Sequence, residues 1–177
     1  LLLPIDTVVA KSFPDPIDAE IEVKTVASNE IPADMMGLDI GMFYKRRNYA
    51  KIVNGKNPIE AHEYLGRDLH GKDAIIVDDM ISSGESLLDV AKQLKERGAN
   101  RVFLFETFGL FCNGLDVFDK AYADGLFDKV FTTNLIYRIP ELASREWYVE
   151  VNMCKYTAYI VETLHRDGTI SDLLNPV

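Results

Sequence analysis

Residues 73–86 read Asp-Ala-Ile-Ile-Val-Asp-Asp-Met-Ile-Ser-Ser-Gly-Glu-Ser. An apolar run stops at two adjacent carboxylates, Asp78 and Asp79. Small hydroxyl and glycine residues follow, and then a helix pattern begins. This order suits a sugar phosphate. The two carboxylates accept hydrogen bonds from ribose hydroxyls, and the next backbone amides, at a helix N-terminus, hold the phosphate. The candidate carboxylates are Asp78 and Asp79, and the run that follows them toward the helix is Ser82-Ser83-Gly84-Glu85-Ser86.

Such a site needs a strand to deliver the carboxylates and a helix to present the amides. Ala74–Val77 is apolar at every position, as in a strand buried on both faces. Over 84–97, Leu87, Leu88, Ala91 and Leu94 form one apolar stripe. Glu85 and Asp89 lie early in it, Lys92, Lys95 and Arg97 late, and Gly98 ends it. Further strands are expected over 38–44, 63–65, 101–107, 129–133 and 147–151, and helices over 115–123 and 153–165. Met153, Tyr156, Ile160 and Leu164 fall on one side of the last helix. Alternating strands and helices imply an α/β fold with a mainly parallel sheet flanked by helices. Ligands of such sheets bind beyond the carboxyl ends of the strands, where Asp78 falls. Residues 1–37 read differently. Four of the seven prolines fall there, and only 21–27 alternates like a strand. The expected division is an irregular appendage over 1–37 and one α/β domain over 38–177.

The net charge of −9 argues against nucleic-acid binding, which needs many Lys and Arg contacts to phosphates. No apolar run is long enough to span a bilayer, and the expected location is the cytoplasm. Cys112 and Cys154 have no Cys-x-x-Cys spacing, and His62, His70 and His165 have no metal-like spacing. The chain opens on Leu1 rather than Met, as a fragment or processed product would.

The segment 45–58 is the local exception to the acidic balance. Lys45, Arg46, Arg47, Lys51 and Lys56 occur there without one Asp or Glu, and Asn48, Asn54, Gly55 and Asn57 mark it as a loop. A purely structural reading of the other motif is a capping box, Ser82 with Glu85, but that leaves the two carboxylates unexplained. A receiver domain also carries an acidic pair after a strand, but the later Asp and Lys it needs are missing.

"AIIVDDMISSGES" resembles the phosphoribosyl-pyrophosphate (PRPP) motif of the type I phosphoribosyltransferase fold, a Rossmann-like α/β fold. It is most similar to the version in ribose-phosphate pyrophosphokinases, the PRPP synthetases. "GANRVFLFETFGLFCNG" and "TTNLIYRIPE" fall where that family has counterparts, and the likeness covers about residues 38–177. It implies that Asp78 and Asp79 hold the ribose 2- and 3-hydroxyls while residues 82–86 wrap the 5-phosphate. Lys45-Arg46-Arg47 matches the start of the family's mobile catalytic loop, which makes Lys45 the catalytic lysine and Arg47 its partner. The implied reaction transfers the diphosphoryl group of ATP to ribose 5-phosphate with Mg²⁺, giving PRPP and AMP in a homo-oligomeric enzyme. Two residues depart from the pattern: Ser82 stands where the family has Asp, and Glu85 where it has Gly or Ala. The Glu85 carboxylate is expected to face away from the ligand. The alternatives are a nucleobase phosphoribosyltransferase that consumes PRPP and a non-catalytic, synthetase-like regulator. An N-terminal domain copy cannot fit in 1–37, so the chain looks like the ribose-phosphate half of a synthetase.

Overall fold

A run such as Ala74-Ile75-Ile76, apolar on both alternating faces, is stable only inside a sheet covered from both sides. All three residues are buried, in the middle of a sheet. The computed structural model describes residues 7–11, 38–47 and 59–173. Among these, the strands are β1 (Thr7–Lys11), β2 (Asp39–Arg47), β3 (Ile59–Leu65), β4 (Ala74–Ile81), β5 (Val102–Gly109), β6 (Lys129–Thr133) and β7 (Tyr148–Val151). The helices are α1 (Glu85–Glu96), α2 (Asp116–Ala123) and α3 (Cys154–His165). The strands form one sheet in the order β3-β2-β1-β4-β5-β6-β7. Every pairing is parallel except β2 with β3. No helix among the described residues is long and apolar enough to cross a membrane.

The two faces of the sheet separate cleanly. Ile76, Leu104 and Val130 join one core cluster with the α1 residues Leu87, Leu88, Val90, Ala91 and Leu94. From α2, Phe118 and Ala121 enter the same cluster. Ile75, Val77 and Phe105 belong to the opposite face, where Phe105 stacks on Phe131 at 4.3 Å. The buried stripe of α1 is the one its helical spacing predicts. Of the stripe expected for α3, Tyr156, Ile160 and the capping residue Met153 are partly buried, but Leu164 is 57% exposed.

Three features differ from the sequence-based expectation. Thr7–Lys11, inside the stretch expected to be an irregular appendage, is the strand between β2 and β4, pairing with both. The expected strand over 21–27 and the loop positions 48–58, with Lys51 and Lys56, lie outside the described residues. Strand β2 runs through Lys45, Arg46 and Arg47 instead of ending at Tyr44, because β3 begins at Ile59 and supplies antiparallel partners as far as Arg47. Strand β4 likewise continues past its carboxylates to Ile81, because β5 pairs with it as far as Gly109.

The buried carboxylate of Asp73 is matched by hydrogen bonds. Asp73, 4% exposed, immediately precedes β4 and accepts hydrogen bonds from Asn100 Nδ2 (2.9 Å), Arg101 N–H (3.1 Å) and Arg101 Nε (2.9 Å). Arg101 also forms a salt bridge with it through Nη2. Hydrogen bonds from Arg101 hold the Asp73 carboxyl below the usual carboxylate range, against the opposing effect of burial. A depressed folded-state pKa contributes stability above the unfolded value of about 3.9. That contribution is lost as pH falls through the folded-state value. Asp73→Ala should therefore cost about 2–3 kcal/mol at neutral pH. In urea denaturation, its deficit against the unsubstituted chain should shrink as the pH is lowered below about 4. A deficit that stays constant with pH would contradict this assignment.

Candidate functional site

Strand β4 and helix α1 meet at Ile81–Gly84. Gly84 caps α1 with φ +83°, in the left-handed region where glycine is at home. A Cβ at position 84 would overlap the Phe118 ring, so the chain there has neither the conformation nor the room for another residue. The helix ladder begins with Leu88 N–H donating to Gly84 O at 2.9 Å. The amides of Ser86 and Leu87 thus lie outside that ladder at the positive end of the helix. The Ser82–Glu85 capping box of the purely structural reading does not form. Gly84, not Ser82, is the cap residue and has no side-chain cap bond, which places Glu85 at the first helical position. Ser83 Oγ accepts a long 3.5 Å hydrogen bond from Glu85 N–H instead.

A pocket of about 110 Å³ opens on this turn, lined by Met80, Ile81, Ser82, Ser83, Gly84, Ser86 and Leu87. Within 82–86, only Glu85 is not among the lining residues, and its side chain is exposed. The pocket thus gathers three serine residues and the start of a helix, while the one residue of the segment that carries a carboxylate is not on its wall. A concave, hydroxyl-lined turn at a helix N-terminus can hold a phosphate-sized anion.

The carboxylates lie just before the pocket. Asp78 is half-buried and Asp79 exposed. Asp78 Oδ1 accepts the Asp79 N–H at 3.0 Å, which orients the first carboxylate along the chain. Asp78 is in register with Glu106 on β5, and Glu106 with Thr132 on β6. The alternation that puts Ile76, Leu104 and Val130 on the helix-covered face puts these three there too. Glu106 is 4% and Thr132 2% exposed, and Thr132 Oγ1 lies 2.9 Å from the Tyr148 hydroxyl. A polar row therefore crosses β4, β5 and β6 near the carboxyl ends of the strands, with Asp78 on the central strand of the sheet.

The basic triplet reaches the same edge. Strand β1 is parallel to both β2 and β4, and Ala10 pairs with Met42 on one side and Val77 on the other. Asp78 is thus level with Phe43, and Lys45 lies two residues further along β2. From strand spacing and rise, the Lys45 and Asp78 backbones are about 12 Å apart across β1. A register shift, of the kind a β-bulge makes, falls between Arg46 and Arg47. Among the described residues no group of three or more His, Cys, Asp or Glu could hold a metal ion. Two further contributors have no local signal in the sequence. Phe118 packs beneath Gly84 from 34 positions away, and the β5–α2 connection is bonded to the back of the turn.

Residues 44–174 match the family model described as the phosphoribosyl synthetase-associated domain. A ribose-phosphate pyrophosphokinase of Vibrio cholerae serotype O1 is 29% identical over 167 residues, which are 94% of this chain and 50% of that protein. One from Wolinella succinogenes is 32% identical over 131 residues, 74% of this chain and 39% of its own. The chain thus spans about half the length of the curated relatives it matches. Among solved structures, the phosphoribosylpyrophosphate synthetase of Mycobacterium smegmatis superimposes with a TM-score of 0.68 at 20% identity, covering 93% of this chain and 46% of its own. At that identity the likeness shows the fold: a mainly parallel α/β sheet of the phosphoribosyltransferase kind.

Proposed function

Because the chain belongs to the phosphoribosyl synthetase-associated domain family, we propose that its pocket binds ribose 5-phosphate and that the protein makes PRPP from it, with ATP as diphosphoryl donor. The observation that carries this reading is the shared carboxyl edge. Two carboxylates, an anion pocket at a helix start and a basic triplet converge there from β4, α1 and β2. Asp78 and Asp79 accept hydrogen bonds from the ribose 2- and 3-hydroxyls. Ser82, Ser83, Gly84 and Ser86 surround the 5-phosphate, and Glu85 contributes its backbone rather than its carboxylate.

In the proposed reaction, the anomeric O1 attacks the β-phosphorus of ATP in line. The O1–phosphorus bond forms, the bond from the β-phosphorus to the bridging oxygen breaks, and AMP leaves with that electron pair as the hydroxyl proton is released. Such transfers depend on positioning and charge neutralisation. Lys45 and Arg47 supply positive charge to the transferring group. Mg²⁺ takes hard oxygen donors, and the ion would be held mainly by phosphate oxygens of ATP while Asp78 and Asp79 serve the ribose hydroxyls. When bound it neutralises phosphate charge. The name of the relatives supports the reaction, and the departures at Ser82 and Glu85 make its test necessary.

The full-length protein should release AMP from ATP only when ribose 5-phosphate and Mg²⁺ are both present. Pyrophosphate release from PRPP plus a nucleobase, without AMP formation, would assign a phosphoribosyltransferase instead. Binding of ribose 5-phosphate with neither reaction would assign a regulator.

A further inference from the structure

The connection from β5 to α2 folds back onto the phosphate pocket. Leu110 N–H donates to Ile81 O at 2.9 Å, and Phe111 N–H to the same oxygen at 3.3 Å. Cys112 N–H donates to Ser82 O at 2.9 Å. In a trans peptide, the carbonyl and the following N–H point in opposite directions. Tying the Ile81 and Ser82 carbonyls to this turn therefore aims the Ser82 and Ser83 amides away from it. Ser82 and Ser83 both line the pocket.

The turn is strained. Phe111 has φ +46°, where a bulky residue is an outlier that persists only when its surroundings impose it. The surroundings are specific. The Phe111 ring is 2% exposed, edge-on to Phe118 at 5.0 Å and tilted against Trp147 at 6.1 Å. Gly114, φ +78°, closes the turn by donating its N–H to Phe111 O at 2.9 Å. Phe118 also fills the space beneath Gly84, so one ring braces both the turn and the pocket.

We propose that Leu110–Gly114 is a positioning element for phosphate recognition, with the strained Phe111 as its locking residue. The turn holds the Ser82 and Ser83 amides in place before the ligand arrives, so binding need not order them. This rests on the reading that the pocket takes the 5-phosphate of ribose 5-phosphate.

Two variants of the full chain test it. Phe111→Leu stays apolar but loses the edge contact with Phe118. Gly114→Ala meets nothing within 4 Å and acts only through the backbone of the turn. Dissociation constants for ribose 5-phosphate and for ribose are measured by NMR titration, with circular dichroism reporting the fold. The expected result is that ribose 5-phosphate binds about tenfold more weakly to both variants while ribose changes less than about twofold. If Phe111→Leu does not fold, Gly114→Ala carries the same expectation. An unchanged ribose 5-phosphate constant in a folded variant, or equal weakening of both ligands, would overturn the proposal. Failure of the unsubstituted chain to bind ribose 5-phosphate would overturn it together with the reading it rests on.

Discussion

Replacing Lys45 by alanine is expected to lower turnover about 10²–10³-fold while changing the affinity for ribose 5-phosphate by less than about threefold. The reason lies in the order of the sheet. Lys45 belongs to the carboxyl end of β2, and β1 separates that strand from β4. The backbone of Lys45 is therefore too far from Asp78 to belong to the same ribose-binding contacts. In the proposed reaction the Lys45 charge acts on the diphosphoryl group passing to O1 rather than on the ribose. A charge that acts on the transferring group stabilises the transition state more than the bound sugar phosphate, so the loss falls on turnover. Steady-state AMP release and calorimetric titration of ribose 5-phosphate separate the two effects. Equal losses in both would make Lys45 a ground-state binding residue instead.

Replacing Gly84 by alanine is expected to remove ribose 5-phosphate binding and to destabilise the fold by about 2–5 kcal/mol. Two costs combine. The left-handed φ of +83° is unfavourable for alanine, and its methyl group would overlap Phe118, which is fully buried. Phe118 has little room to yield, because it also packs on Phe111, Phe127 and Trp147. The turn must move instead, and with it the amides at the head of α1. Chemical denaturation gives the stability change, and a ribose 5-phosphate titration below the unfolding transition gives the binding loss. Wild-type affinity in a folded Gly84→Ala chain would show that the turn does not hold the phosphate.

How much of this was legible in the sequence depends on whether the deciding contact is local. Strand β4 and helix α1 were legible because Ala74–Val77 is uniformly apolar and the α1 stripe repeats at helical spacing. The basic triplet was legible as a departure from an acidic background. Strand β1 was not, because Val8-Val9-Ala10 is too short a run to stand out beside the prolines of that segment, and only its pairing with both β2 and β4 makes it a strand. The ends of β2 and β4 were read too early for a similar reason. Charged residues at Lys45 and Asp78 look like strand ends until β3 and β5 provide partners beyond them. At Ser82 and Glu85 a sound local pattern lost to a tertiary requirement, since the close packing of Gly84 on Phe118 fixes where the helix starts. The strain at Phe111 has no sequence signal, because phenylalanine is a poor choice for a left-handed turn and only the aromatic cluster around it imposes that conformation.

A crystal structure of the protein soaked with ribose 5-phosphate tests the central assignment most directly. The 5-phosphate should lie in the pocket lined by Ser82, Ser83, Gly84 and Ser86, with the ribose 2- and 3-hydroxyls on Asp78 and Asp79 and the Glu85 carboxylate turned away. A sugar phosphate bound elsewhere, or one that reaches the pocket with its hydroxyls away from both carboxylates, would contradict it.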